Sequence, residues 1–159
     1  AIEILEGLQD NELLKKTPFY EVFVYLNLGI FWFDKKNFKK AIKHINQLYL
    51  MDSYKNADVN LKFKIAIAEL IIRYEIADFD FLEYRIGQVK KDFKKQIESG
   101  DNQREKDLLK ILHVLAIEGY SKNNERLMEQ IDGFVAETTE NVEDTEMINY
   151  NKWLMSLSS

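Results

Sequence analysis

The sequence predicts an all-α protein built from antiparallel helical hairpins, and three observations carry that expectation. One proline and six glycines in 159 residues leave few breakers. The residues between them are largely good helix formers, and no run alternates apolar and polar residues long enough to make a sheet. Apolar side chains recur at helical spacing, as in Phe38, Ala41, Ile45 and Leu48. The connections are short and polar, Asp34-Lys35-Lys36-Asn37 being typical, and short loops between long helices force antiparallel neighbours.

Taken in order, Ile2 to Lys15 forms an amphipathic helix through Ile2, Leu5, Leu8 and Leu13, ending before Thr17-Pro18. Pro18 suits the first turn of the next helix, where its missing N–H is no loss. Helices are then expected over 18–34, 38–51, 57–77, 79–98, 103–119, 123–138 and 144–157, about seven or eight in all. The window Phe19 to Phe33 is the richest in apolar residues, but it falls short of the roughly 18 residues that a membrane span needs. It is expected to be a buried helix. In the last segment Met147, Tyr150, Trp153, Leu154 and Leu157 share a face behind the acidic run Glu137, Glu140, Glu143, Asp144 and Glu146. Asp144 or Thr145 can cap its start, and acidic residues favour that end of a helix. This helix is expected to close the apolar end of the stack; the alternative is a detachable helix that docks on a partner. With no Pro/Gly/Ser-rich linker, residues 1–159 read as one helical domain with hairpins near 18–51, 57–98 and 103–138.

An internal repeat supports the hairpins. Sliding the chain by 41 residues places Phe33 on Tyr74, Phe38 on Phe79, Ala41 on Leu82, Ile45 on Ile86 and Leu48 on Val89, with Asn37 on Asp78 at the turn. A further slide of 45 puts Leu127, Ile131 and Phe134 on Leu82, Ile86 and Val89. Each hairpin exposes an apolar face that it cannot bury alone, so the face recurs in the next one.

Tyr25-x2-Leu28-Gly29-x2-Trp32, followed by Phe38-x2-Ala41-x3-Ile45, resembles the signature of the tetratricopeptide repeat. Tyr25 stands where that family usually has Trp, Trp32 where it has Tyr, and Ser53 where it often has Pro. The resemblance covers one unit well and a second in part, over residues 22–92; in the second, Leu70 stands at the position of Gly29 and Ala66 at that of the large aromatic. It implies a right-handed superhelical stack, with Gly29 and Ala41 at a close approach of two helices and a concave groove lined by the first helix of each hairpin. The groove positions carried over are Phe23, Leu26, Asn27, Ile30 and Phe33, then Lys64, Ile67, Ile71 and Tyr74. Only Asn27 and Lys64 keep the polar character of a carboxylate clamp, so the implied ligand is an apolar or helical peptide segment. The other reading is that these residues are core and the groove is filled by the chain itself, which would make the chain a structural or sensory spacer of a larger regulatory protein.

Chemistry is sparse. His44 and His113 lie on helices without a second histidine three or four residues away, so no metal site is expected. Asp78, Asp80 and Glu83 are better explained by helix capping than as an acid–base pair. No glycine-rich phosphate loop, nucleophile elbow, calcium loop or dinucleotide fingerprint occurs, and neither an enzyme nor a cofactor is expected. Residues 1–97 hold 16 Lys+Arg against 14 Asp+Glu, and residues 98–147 hold 5 against 13. Basic stripes at Lys35, Lys36, Lys39, Lys40 and Lys43, and at Lys90, Lys91, Lys94 and Lys95, sit in a chain of net charge −5, which argues against nucleic acid as the partner. The absence of cysteine excludes disulfides and fits a reducing compartment, though it also suits exported proteins. The start at Ala1 reads as that of a processed or excised piece, the C-terminal part of a longer protein.

Overall fold

Helix follows helix from Ile2 to Ser156 in a computed structural model that describes residues 1–16, 18–137 and 146–159. Among the described residues there is no strand, and no helix is long and apolar enough to cross a membrane. The elements are α1 (Ile2–Gln9), α2 (Glu12–Lys15), α3 (Pro18–Asp34), α4 (Phe38–Tyr49), α5 (Asp52–Lys55), α6 (Val59–Ile76), α7 (Phe79–Asp92), α8 (Lys94–Glu98), a 3₁₀ turn (Gly100–Asn102), α9 (Gln103–Glu118), α10 (Glu125–Ala136) and α11 (Tyr150–Ser156). The chain divides into two compact units, Ala1–Ile65 and Ala66–Ser159, with the boundary inside α6.

In the first unit, α3 and α4 form a hairpin, and α1, α2 and α5 lie against α3. Val22, Val24, Leu26 and Leu28 are buried from α3, and Ala41, Ile45 and Leu48 from α4. A Cβ on Gly29 would lie 3.0 Å from Ile45 Cδ1 and 3.5 Å from the Ala41 carbonyl oxygen, so glycine lets the two helices close at this point. In the second unit, α9 packs against both α7 and α10, and α11 against α10. Its core includes Ile67, Leu70, Ile71, Leu82, Ile86, Val89, Leu108, Leu112, Leu115, Leu127 and Leu154.

The 41-residue slide brings like geometry together. Lys36 and Ala77 both take left-handed backbone, at φ 58° and 65°. Lys36 N–H donates to Phe33 O at 2.8 Å, and Ala77 N–H to Tyr74 O at 3.0 Å. The caps match too: Asn37 (φ −96°, ψ 74°) accepts from Lys40 N–H, and Asp78 (φ −91°, ψ 79°) from Phe81 N–H. Across the turn Phe33 and Phe38 pair with ring centroids 5.6 Å apart at 56°, and Tyr74 and Phe79 at 5.6 Å and 59°. Leu82, Ile86 and Val89 are then buried at the same distances from their cap as Ala41, Ile45 and Leu48. At the third turn Asn124 caps α10 by accepting from Leu127 N–H, and Leu127, Ile131 and Phe134 are buried one residue earlier after the cap.

Four boundaries depart from the sequence expectation. The first helix is interrupted at Asp10-Asn11, because the Asn11 side chain accepts from Leu13 N–H at 2.9 Å and starts a new turn. Residues 52–55 form the short helix α5 inside the expected loop. The helix expected over 79–98 breaks at Phe93, which leaves helical dihedrals (φ −112°, ψ 26°) while its ring is buried. The last helix starts at Tyr150 rather than at residue 144, with the Asn149 side chain accepting from Lys152 N–H at 2.8 Å. Asp144 and Thr145, proposed as its caps, lie outside the described residues. Glu146 does serve its N-terminus, accepting from Tyr150 N–H at 3.1 Å.

Candidate functional site

α3 is apolar on nearly every side, so one hairpin partner cannot bury all of it. Its first turns leave Phe19 74% exposed, Tyr20 52% and Phe23 59%. These rings, with Val22, Leu26 and Leu61, line an apolar hollow of about 370 Å³ in the first unit. Isolated exposed apolar side chains are ordinary, but three adjacent aromatics around a hollow are not.

Of the nine residues expected to face a groove, Phe23 and Leu26 line this hollow. Asn27 turns its amide back to the Phe23 carbonyl at 2.7 Å. Ile30, Phe33 and Lys64 are half-buried. Ile67 and Ile71 are fully buried and offer a partner no surface, which corrects their placement as groove residues. The physical reason is that α6 is buried on all sides from Ile65 to Ile72, Glu69 included, and a helix buried all round has no free face to present. Phe19, Tyr20 and Leu61 were missed. The signal for them was the surplus of aromatics in Phe19 to Phe33, too many for one face of one helix.

Tyr74, the last of the nine, is half-buried beneath the chain's own α11. Trp153 stands edge-on to it at 5.6 Å and 82°, and the indole N–H donates to Glu75 Oε1 at 2.9 Å. Burial, and after it the Glu75 carboxylate, raises the Tyr74 hydroxyl above the usual phenol range. Arg104 fastens the segment that leads into α11. Its guanidinium donates to Glu146 Oε1, Phe134 O and Asn151 Oδ1 at 2.9, 3.0 and 3.1 Å, and lies 4.0 Å from the centre of the Phe134 ring. Tyr150 is fully buried here, and burial, with the Glu105 and Glu146 carboxylates, pushes its hydroxyl well above the phenol range.

A second polar cluster joins α6 to α7. The Glu69 carboxylate is fully buried and receives Arg73 Nε at 2.5 Å and Arg85 through Nε and Nη2 at 3.0 and 2.9 Å. Neither histidine sits in a metal-ligating group. Gln9 donates to His44 Nδ1 at 3.4 Å, and Lys90 Nζ to His113 Nδ1 at 2.9 Å. Burial is the main cause that holds both imidazoles below the usual histidine range, with Lys90 adding to it at His113. Among the described residues no three His, Cys, Asp or Glu side chains gather where they could hold a metal ion. No protein-family model, curated protein or solved structure matches the chain, so the reading of its surface rests on this geometry.

Proposed function

We propose that this chain is a non-enzymatic scaffold of tetratricopeptide-like helical hairpins that holds an apolar or helical segment of another protein. The observation that carries the reading is the cluster of Phe19, Tyr20 and Phe23 around the hollow on α3. A Phe or Tyr side chain offers about 150–250 Å². The three exposed fractions therefore leave about 350 Å² of aromatic surface, which is worth about 9 kcal/mol when fully covered. Association costs roughly 4–15 kcal/mol, so these rings alone give weak, reversible binding, and a tight partner must touch more of the chain. An amphipathic helix with residues at i, i+3 and i+4 supplies that form of contact.

The test is a photo-crosslinking amino acid placed at position 23, with position 81 as a control. Phe81 is also exposed but lies outside the hollow. A discrete adduct at 23, mapped to one apolar helical segment and missing at 81, is the expected result. Equal labelling at both positions, or none at 23, removes the reading.

A second reading is favoured by Trp153 over Tyr74: in the second unit the expected groove position is covered by the chain's own α11, as a structural or sensory spacer requires. It predicts that Phe23→Glu leaves every function of the parent protein intact.

A further inference from the structure

The turn after α3 and the turn after α6 are alike in backbone, cap and aromatic pair, and at the second Trp153 of α11 stands against the tyrosine of the pair. There Tyr74, itself paired with Phe79, and the neighbouring Glu75 carboxylate meet Trp153, which is edge-on to the tyrosine at 5.6 Å and hydrogen-bonded through its indole N–H at 2.9 Å. The slide of 41 places Phe33, Asp34 and Phe38 on Tyr74, Glu75 and Phe79. Phe33 and Phe38 keep the same ring geometry, Asp34 is exposed, and its carboxylate meets no donor among the described residues. Counterparts of the two groups that meet the indole in the second hairpin, the Tyr74 ring and the Glu75 carboxylate, are therefore present in the first.

We propose that Phe33, Asp34 and Phe38 form a docking site for a tryptophan on a helical segment of a partner protein, whose indole N–H bonds the Asp34 carboxylate while its ring stands edge-on to Phe33. This names the partner's chemistry within the scaffold reading and rests on that reading. The occupant resembles α11 because α11 is the occupant of the equivalent site. Aromatic edge-to-face packing and one charge-assisted hydrogen bond supply the recognition. Asp34 is one methylene shorter than Glu75, so the partner's indole must come about one bond closer to the helix end.

The probe is a synthetic peptide of residues 146–159, titrated into the ¹⁵N-labelled full chain. Saturable amide shifts confined to residues 31–38 are expected. Asp34→Ala should weaken binding about tenfold, as the loss of a hydrogen bond to a charged group does. Asp34 is exposed, so that variant keeps its fold, and a peptide with Trp153 replaced by Ala should cause no shifts. The proposal is overturned by an absence of saturable shifts, by binding indifferent to Asp34→Ala, or by shifts that gather around Tyr74 and vanish with Glu75→Ala, which would be exchange with the chain's own helix. A dimer of the unmodified chain that Asp34→Ala disperses would give the site to a second copy and overturn the foreign partner. Phe23 and Phe33 are ten residues apart on α3, about 15 Å. Crosslinking at 23 thus reports on the hollow independently of this titration, and either can fail alone.

Discussion

Replacing Gly29 by alanine sets two opposed effects against each other, and the structure decides the sign. In a helix interior alanine is favoured over glycine by about 1 kcal/mol. The added Cβ, however, would stand 3.0 Å from Ile45 Cδ1 and 3.3 Å from its Cγ1. Carbon atoms pack best at about 3.5–4.0 Å, so Ile45 must retreat by about half an ångström. Ile45 is fully buried and its χ1 is stiff, so the retreat disturbs packing that has no room to give. Overpacking of this kind costs about 1–3 kcal/mol. The expected net result is a loss of about 1 kcal/mol. Gly87, on α7, has nothing within 4 Å of an added Cβ, so Gly87→Ala should gain about 0.8 kcal/mol instead.

Urea unfolding of both variants, at unchanged m-value, measures the difference. Ile45→Val removes the methyl that clashes first, and in that background Gly29→Ala should be close to neutral, a coupling of about 1 kcal/mol. If Gly29→Ala stabilises the chain as much as Gly87→Ala does, the close approach of α3 and α4 is not what glycine serves.

Glu69→Ala should cost about 3–5 kcal/mol by urea unfolding, since it leaves the Arg73 and Arg85 cations facing each other without their buried anion. Arg104→Met should free α11, seen as faster amide exchange over 150–156, with exchange in α4 unchanged. Stability should fall as pH drops through the ordinary histidine range. His44 and His113 are held below it when folded, so the unfolded chain takes up protons first; His113→Gln should reduce the slope of the urea midpoint between about pH 7 and pH 5. Above about pH 10 stability should fall again, because unfolded Tyr150 ionises while the folded hydroxyl keeps its proton, and Tyr150→Phe should flatten that limb.

Boundaries punctuated by local chemistry were legible, and those set by packing were not. Pro18 and the turn at Asn37 mark the starts of α3 and α4 to the residue, and Asp78 that of α7, whereas α10, expected from residue 123, starts at Glu125 behind its Asn124 cap. The break at Phe93 carries no breaker residue. The apolar period continues through it, and only the burial of the ring shows why the helix stops. α5 lies in a polar stretch without a period to detect. The candidate site was half legible for a related reason. The groove positions carried over from the tetratricopeptide resemblance include Phe23 and Leu26 on α3, which line the hollow, and Ile67 and Ile71 on α6, which are buried. Period alone cannot tell a groove face from a helix buried all round.

The 41-residue slide reaches deeper than matching apolar positions, because it also relates contacts whose chemistry has been exchanged. Lys40 Nζ lies 4.0 Å from the centre of the Trp32 ring; at the related positions Arg73 lies 4.5 Å from the centre of the Phe81 ring. Cation and aromatic have swapped helices while the pair has stayed. The same Arg73 bonds Glu69, which stands where the first hairpin has the buried Leu28, and Arg85 stands where the first has His44. The place of a buried leucine has thus passed to a buried carboxylate. Apolar burial, as of Leu82, Ile86 and Val89, is non-directional and specifies register less sharply than a buried ion pair does. A single buried carboxylate held by two guanidinium groups cannot slide, since any other register strands a charge. The first hairpin holds its register by the notch at Gly29, and the second, with Leu70 at that position, holds it by charge.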